Sequence, residues 1–229
     1  MRLTRSLLLA SGLIALLAPL QALAQEPYDI VKSEKAESFT LPYTAANVER
    51  GNPLVYTYDE PKGQNWILTL DDKLEYVDRN DSKIVVMLKE AAPSEKFIQV
   101  FMHGGEAQKF AVAVNTPETG YQVIYEKDVG GWVYEEMVTI THGDNRGLTV
   151  TDGKRIVVDR LGINGFDPAS VEVYGKDEPS SVANAFGGTM IIGILYGSPA
   201  DTPIFWVPAG VMIGVGALVG GLLLLKKRK

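Results

Sequence analysis

From Leu54 onward, short runs of β-branched and aromatic residues recur along the chain, each bounded by Gly, Asn or Asp. The first six are Leu54 to Tyr58, Trp66 to Leu70, Leu74 to Val77, Ile84 to Leu88, Phe97 to Met102 and Phe110 to Val114. The rest are Tyr121 to Tyr125, Trp132 to Ile140, Leu148 to Val150, Ile156 to Val158, Val171 to Tyr174 and Thr189 to Tyr196. Turn formers lie between them, among them Asp71-Asp72, Arg79-Asn80-Asp81, Gly104-Gly105, Gly130-Gly131, Gly143-Asp144-Asn145 and Asp152-Gly153. Short strands at near-regular spacing predict a mainly β chain, an antiparallel sandwich of cupredoxin-like or immunoglobulin-like type or a barrel, and not a βαβ fold. The clearest hairpin joins Leu148–Thr151 to Arg155–Val158 through Asp152-Gly153, a pair that favours positive φ at both central turn positions.

Faces can be read from the alternation. Ile84-Val85-Val86-Met87-Leu88 is continuously apolar and predicts a strand covered on both sides. Val133 to Ile140 has a mixed face on each side, which places it at an edge or at a contact. Gln25 to Asn52 lacks strong periodicity and reads as an extended arm or one short strand.

The two ends obey other rules. Arg2 and Arg5 precede an uncharged stretch from Leu7 to Leu20, and Ala22-Leu23-Ala24 follows, the layout of a secretory signal with cleavage after Ala24. Ile204 to Leu225 gives 22 residues without a charge, enough at ~1.5 Å per residue to cross a ~30 Å hydrocarbon layer. Lys226-Lys227-Arg228-Lys229 then holds the C-terminus in the cytoplasm. The expected organisation is therefore a signal peptide over 1–24, a periplasmic sandwich over 25–179 and a juxtamembrane segment and linker over 180–203. A transmembrane helix over 204–225 and a basic tail over 226–229 complete a single-pass protein of the bacterial inner membrane. Within the span, Gly210, Gly214, Ala217 and Gly221 fall along one helical face, where small residues let a second helix approach closely. Self-association and a foreign integral membrane partner are both open there. The Thr189 to Tyr196 run is too short to cross and reads as a buried strand, a membrane-surface segment or a subunit contact.

Removing the ends changes the charge. Of 22 basic residues, two lie in the signal and four in the tail, so the part between carries sixteen against all 28 acids, a formal −12. So acidic a domain repels nucleic acid and anionic headgroups. No cysteine is present, which excludes disulfide scaffolds, thiolate metal centres and cysteine nucleophiles, and two histidines exclude a three-histidine centre within one chain.

No GxSxG, P-loop, HExxH or GxGxxG pattern occurs, and the expectation is that the chain is not an enzyme. Asp78-Arg79-Asn80-Asp81-Ser82 lacks the glycine and the distant Glu of a calcium loop. The remaining candidate is a copper site from Met102, His103, Met137 and His142, two strand-end pairs whose thioether and imidazole groups suit copper.

The Gly187–Tyr196 run, the Ser198–Pro203 link and the Ile204–Lys229 tail together resemble the accessory subunits encoded beside the copper membrane monooxygenases that oxidise ammonia or methane. The resemblance implies an accessory role beside a membrane oxidase. The leading expectation is thus an anchored interaction subunit that needs no cofactor. The alternatives are a periplasmic copper-binding or copper-delivery protein and a surface protein whose Val207-Pro208 and glycine-rich span form a sorting tail.

Overall fold

The computed structural model describes residues 35–60, 62–144 and 146–198. The expected signal, span, basic tail and the Gly210, Gly214, Ala217 and Gly221 face lie outside them, and no helix among the described residues is long and apolar enough to cross a membrane.

The strands are β1 (Lys35–Pro42), β2 (Leu54–Thr57), β3 (Trp66–Tyr76), β4 (Lys83–Glu90), β5 (Phe97–His103) and β6 (Phe110–Thr116). They are followed by β7 (Gly120–Lys127), β8 (Val138–Gly143), β9 (Gly147–Thr151), β10 (Ile156–Leu161), β11 (Pro168–Tyr174) and β12 (Ala185–Tyr196). Two six-stranded sheets result, the first in the order β1-β12-β3-β8-β9-β10 and the second in the order β2-β11-β4-β5-β6-β7. All ladder pairings are antiparallel, so the mainly β, two-sheet reading holds. The twelve strands among the described residues exceed the seven to nine of immunoglobulin-type domains.

The core is the space between the sheets. β3 turns Trp66, Leu68, Leu70 and Leu74 inward, and β4 and β5 answer with Ile84, Val86, Leu88, Ile98, Val100 and Met102. Each such apolar side chain contributes about 1.5–3 kcal/mol on burial.

Three local expectations change in the folded chain, and for a fourth segment the strand alternative holds. Asp71-Asp72 is not a turn: β3 runs through it, because Leu70, Asp72 and Leu74 continue the inward row and Asp71 and Lys73 the outward one. Trp132–Met137 is not strand; Trp132 turns inward with its Nε1–H on the His103 carbonyl (2.8 Å), and Glu135 adopts a φ of +66°. The β9–β10 hairpin is present, but its central residues are Gly153-Lys154. Asp152 N–H closes the turn on the Arg155 carbonyl (3.0 Å), and only Gly153 has positive φ, at +101°. The Asp152 carboxylate instead accepts from the Lys154 and Arg155 amides and the Arg155 guanidinium, a local alternative typical of aspartate. Finally, Gln25–Asn52 contains β1, an eight-residue strand.

The boundary at 179 also moves. β12 lies between β1 and β3, with Ile192 and Ile194 in the core, so the sandwich runs to Tyr196 and the expected juxtamembrane segment is largely a central strand. A bulge near its start is permitted by Gly188 (φ +81°), where a Cβ would stand 2.0 Å from the Lys73 carbonyl oxygen.

Lys35 pairs with Tyr196, so the sandwich's first and last strands begin and end side by side. A buried lysine closes that end. Lys62 is ion-paired to Glu37 and lies over the rings of Tyr196 (4.1 Å) and Tyr58 (4.8 Å). Burial opposes its charge, but Glu37 and Tyr196 outweigh it, so its pKa stands above the ordinary lysine value. Lys62→Ala is expected to cost about 1–2 kcal/mol in urea unfolding, because the buried stem and its ion pair are lost while Glu37, a third exposed, keeps only the Tyr196 hydroxyl. The double variant Lys62→Met with Glu37→Gln should recover most of that loss.

Candidate functional site

The sequence-derived copper set is not assembled. Met102 and His103 are successive residues of β5, so Met102 enters the core while His103 faces outward beside Lys83. Burial and the nearby Lys83 charge lower the His103 pKa against the opposing Asn80 carbonyl, leaving a neutral ring at neutral pH. His142 sits in the other sheet, paired with Trp66 at the start of β3, whereas Gly104, next to His103, abuts the Tyr76 ring at its end. About ten residues of strand separate those ends, roughly 33 Å at ~3.3 Å per residue. Both His142 nitrogens already face backbone carbonyls, Nδ1 to Gln64 (2.6 Å) and Nε2 to Ile163 (3.2 Å). Met137 is exposed on the loop before β8. One copper ion cannot span this set, and among the described residues no group of three or more His, Asp or Glu is placed to hold a metal.

What the sequence did not reveal is the outer face of the second sheet. Register aligns three rows across it. Tyr174, Val85, Phe101 and Ala111 form the first, and Glu172, Met87, Gln99, Ala113 and Val123 the second. Ser170, Lys89, Phe97, Asn115 and Tyr121 form the third. Small or recessed residues make the floor: Val85 and Ala113 are fully buried. Phe97, Phe101 and Met87 are half-buried around them, and Tyr121 and Val123 stand exposed on the edge strand β7. The apolar run through Val85 and Met87 was the one available signal, since it made both faces of β4 apolar.

Polar groups are set into this floor. Gln99 and Tyr174 are only 3% and 2% exposed, and the Gln99 amide donates to the Tyr174 hydroxyl across β4 (2.6 Å). Burial raises the Tyr174 pKa; Arg50 opposes, and Asp177 and Tyr121 add to the rise. Lys89 and Glu172 pair at 2.8 Å in the adjoining rows and cancel each other's charge.

The other outer surface belongs to β12. Phe186 is 63% exposed and Ile191 40%, with Val182 63% exposed on the preceding loop. This is a second apolar surface, on the opposite sheet.

The fold and these surfaces define a class: an antiparallel two-sheet β-sandwich with a recessed polar pair in an apolar face. No family model and no curated protein matches the sequence. Among solved structures the chain is similar to a native glycosidic hydrolase, at 10% identity over 75% of this chain and 82% of that one, with a TM-score of 0.43. It is also similar to a prokaryotic β-1,3-1,4-glucanase from a mouse hindgut metagenome, at 11% identity over 74% and 83%, with a TM-score of 0.41. A toad ovary galectin in complex with thio-digalactose matches at 11% identity over 61% and 97%, with a TM-score of 0.34. Hydrolases are among these neighbours, and the expectation that the chain is not an enzyme, which rested only on missing linear motifs, is not kept. Catalytic groups on a sandwich come from separate strands and leave no such motif. The likenesses are of architecture, and they assign no reaction to this chain.

Proposed function

We propose that the chain is an exported β-sandwich, held at the outer face of the bacterial inner membrane by residues 204–225, that docks on an integral membrane complex as an accessory subunit. The resemblance to subunits encoded beside copper membrane monooxygenases makes such an oxidase the first complex to test. The observation that supports this reading is the apolar exposure of Phe186 and Ile191 on the strand that leads into the Ser198–Pro203 link. Isolated surface apolar residues are ordinary, but three within ten positions suit a protein contact.

A photo-crosslinking residue at Ile191 in native membranes is expected to capture an integral membrane protein. The same residue at Glu118, on the opposite sheet's far turn, should not. Gly214→Leu with Ala217→Leu should reduce co-purification of that partner at least about tenfold, as loss of close helix packing does. Recovery of the chain alone and monomeric, with no crosslink from position 191, would overturn the reading. A crosslink only to a second copy would replace the foreign partner by self-association.

A further inference from the structure

The recessed pair on the second sheet points to a ligand of definite chemistry. A bonded Gln99 N–H and Tyr174 oxygen leave the Gln99 carbonyl and the Tyr174 O–H outside that bond, an acceptor and a donor set among aromatic walls. A wholly apolar occupant, such as an acyl chain or a leucine-rich helix, would cover these groups without satisfying them, at about 1–3 kcal/mol each. A polyanion is opposed by the acidic domain and finds no net positive charge, because Lys89 is neutralised by Glu172. The remaining complement is an uncharged molecule with flat C–H faces for Tyr121 and Phe97 and hydroxyl groups for the recessed pair. Those properties describe a pyranose.

We propose that the outer face of the second sheet binds a neutral glycan chain, with pyranose faces on Tyr121 and Phe97 and hydroxyl groups on Gln99, Tyr174 and the Lys89–Glu172 pair. The rings of Phe97 and Tyr121 lie 6.1 Å apart at 43°, so two planes are offered to successive sugars. Mostly apolar lining with a few placed polar groups is the usual composition of small-ligand sites. The site is on the sheet opposite β12, so glycan binding and membrane-partner docking are compatible and separable.

The test uses the full chain in nanodiscs, titrated calorimetrically with cellohexaose, laminarihexaose, mannohexaose and chitohexaose, with polygalacturonate as the charged comparison. At least one neutral hexasaccharide is expected to bind and polygalacturonate is not. Tyr121→Ala and Gln99→Leu should each weaken binding about tenfold or more, the loss of one stacking or hydrogen-bonding contact. Tyr121→Phe should keep most of it, which separates lost stacking from lost folding, and Phe186→Ser should leave it unchanged. The proposal fails if no neutral hexasaccharide binds, or if binding is indifferent to both Tyr121→Ala and Gln99→Leu. It fails equally if those variants abolish only a concentration-dependent dimer, since the face would then belong to a second copy.

Discussion

Asp72→Asn is expected to make the sandwich more stable at pH 7.5, and to remove most of the change in its stability between pH 4 and pH 6. Asp72 is fully buried in the inward row of β3. Its carboxylate accepts from Tyr76 O–H (2.6 Å) and Leu74 N–H (3.0 Å), and among the described residues no cation pairs with it. Burial is the largest influence and pushes its pKa up from 3.8 to about 6, against the two hydrogen bonds. An acid whose pKa is raised on folding binds its proton more tightly in the native state. Its penalty is therefore absent below the unfolded value near 4, grows as pH rises, and is complete above about 6. The difference is worth about 3 kcal/mol. Urea unfolding of the full chain in detergent, followed by tryptophan fluorescence at pH 4.5 and 7.5, reads it directly. The wild type should lose stability between those values from this group, while the asparagine variant, which keeps an acceptor for Leu74, should not. An asparagine variant equally weakened at both values would mean that the Tyr76 bond requires the charge.

His142→Ala is expected to cost about 3–4 kcal/mol at the end of the sandwich where β1 begins and β12 stops. The ring is buried, stacks on Trp66 at 5.7 Å, and joins two loops by facing the Gln64 and Ile163 carbonyls. Truncation opens a cavity against the indole and removes the ring that bridges the two carbonyls. Trp66 itself bonds to the Phe166 carbonyl (3.0 Å), so the same two loops are tied through it as well. Hydrogen exchange should therefore lose protection in residues 62–66 and 163–167 together, while Gln99 and its neighbours keep theirs. Copper addition is expected to leave the wild-type melting curve unchanged, since both imidazole nitrogens of His142 are engaged and His103 is at the other end of the sheet. A copper-induced shift abolished by His142→Ala would contradict that placement.

Strand existence was legible because it depends on local properties. Alternation and turn residues marked twelve runs that became the eleven strands β2 to β12 or parts of them, with the two runs on either side of Asp71-Asp72 fusing into β3. There the turn preference of aspartate obscured an alternation that runs unbroken from Leu70 to Tyr76, and only the space between the sheets reveals which tendency wins. β1 was unreadable for a related reason: its eight residues are mostly exposed at a sheet edge, so burial imposed little pattern on them.

The site was less legible. Gln99 lies inside an ordinary apolar run, and its partner Tyr174 is 75 positions away. Nothing local distinguishes that glutamine from a solvent-facing one. The two histidines showed the reverse error, since their strand-end positions looked equivalent and folding put them in different sheets at opposite ends of β3.

Composition and short-range pattern alone established an acidic, cysteine-free, antiparallel β domain between two segments of a different kind, because charge, sulfur content and alternation survive any arrangement of the strands. Which strands neighbour which, and hence which outward residues share a face, was decided only by the tertiary structure. Pairing is a long-range choice that the packing of one common core makes, and it alone brought Gln99 and Tyr174 together and kept His103 and His142 apart.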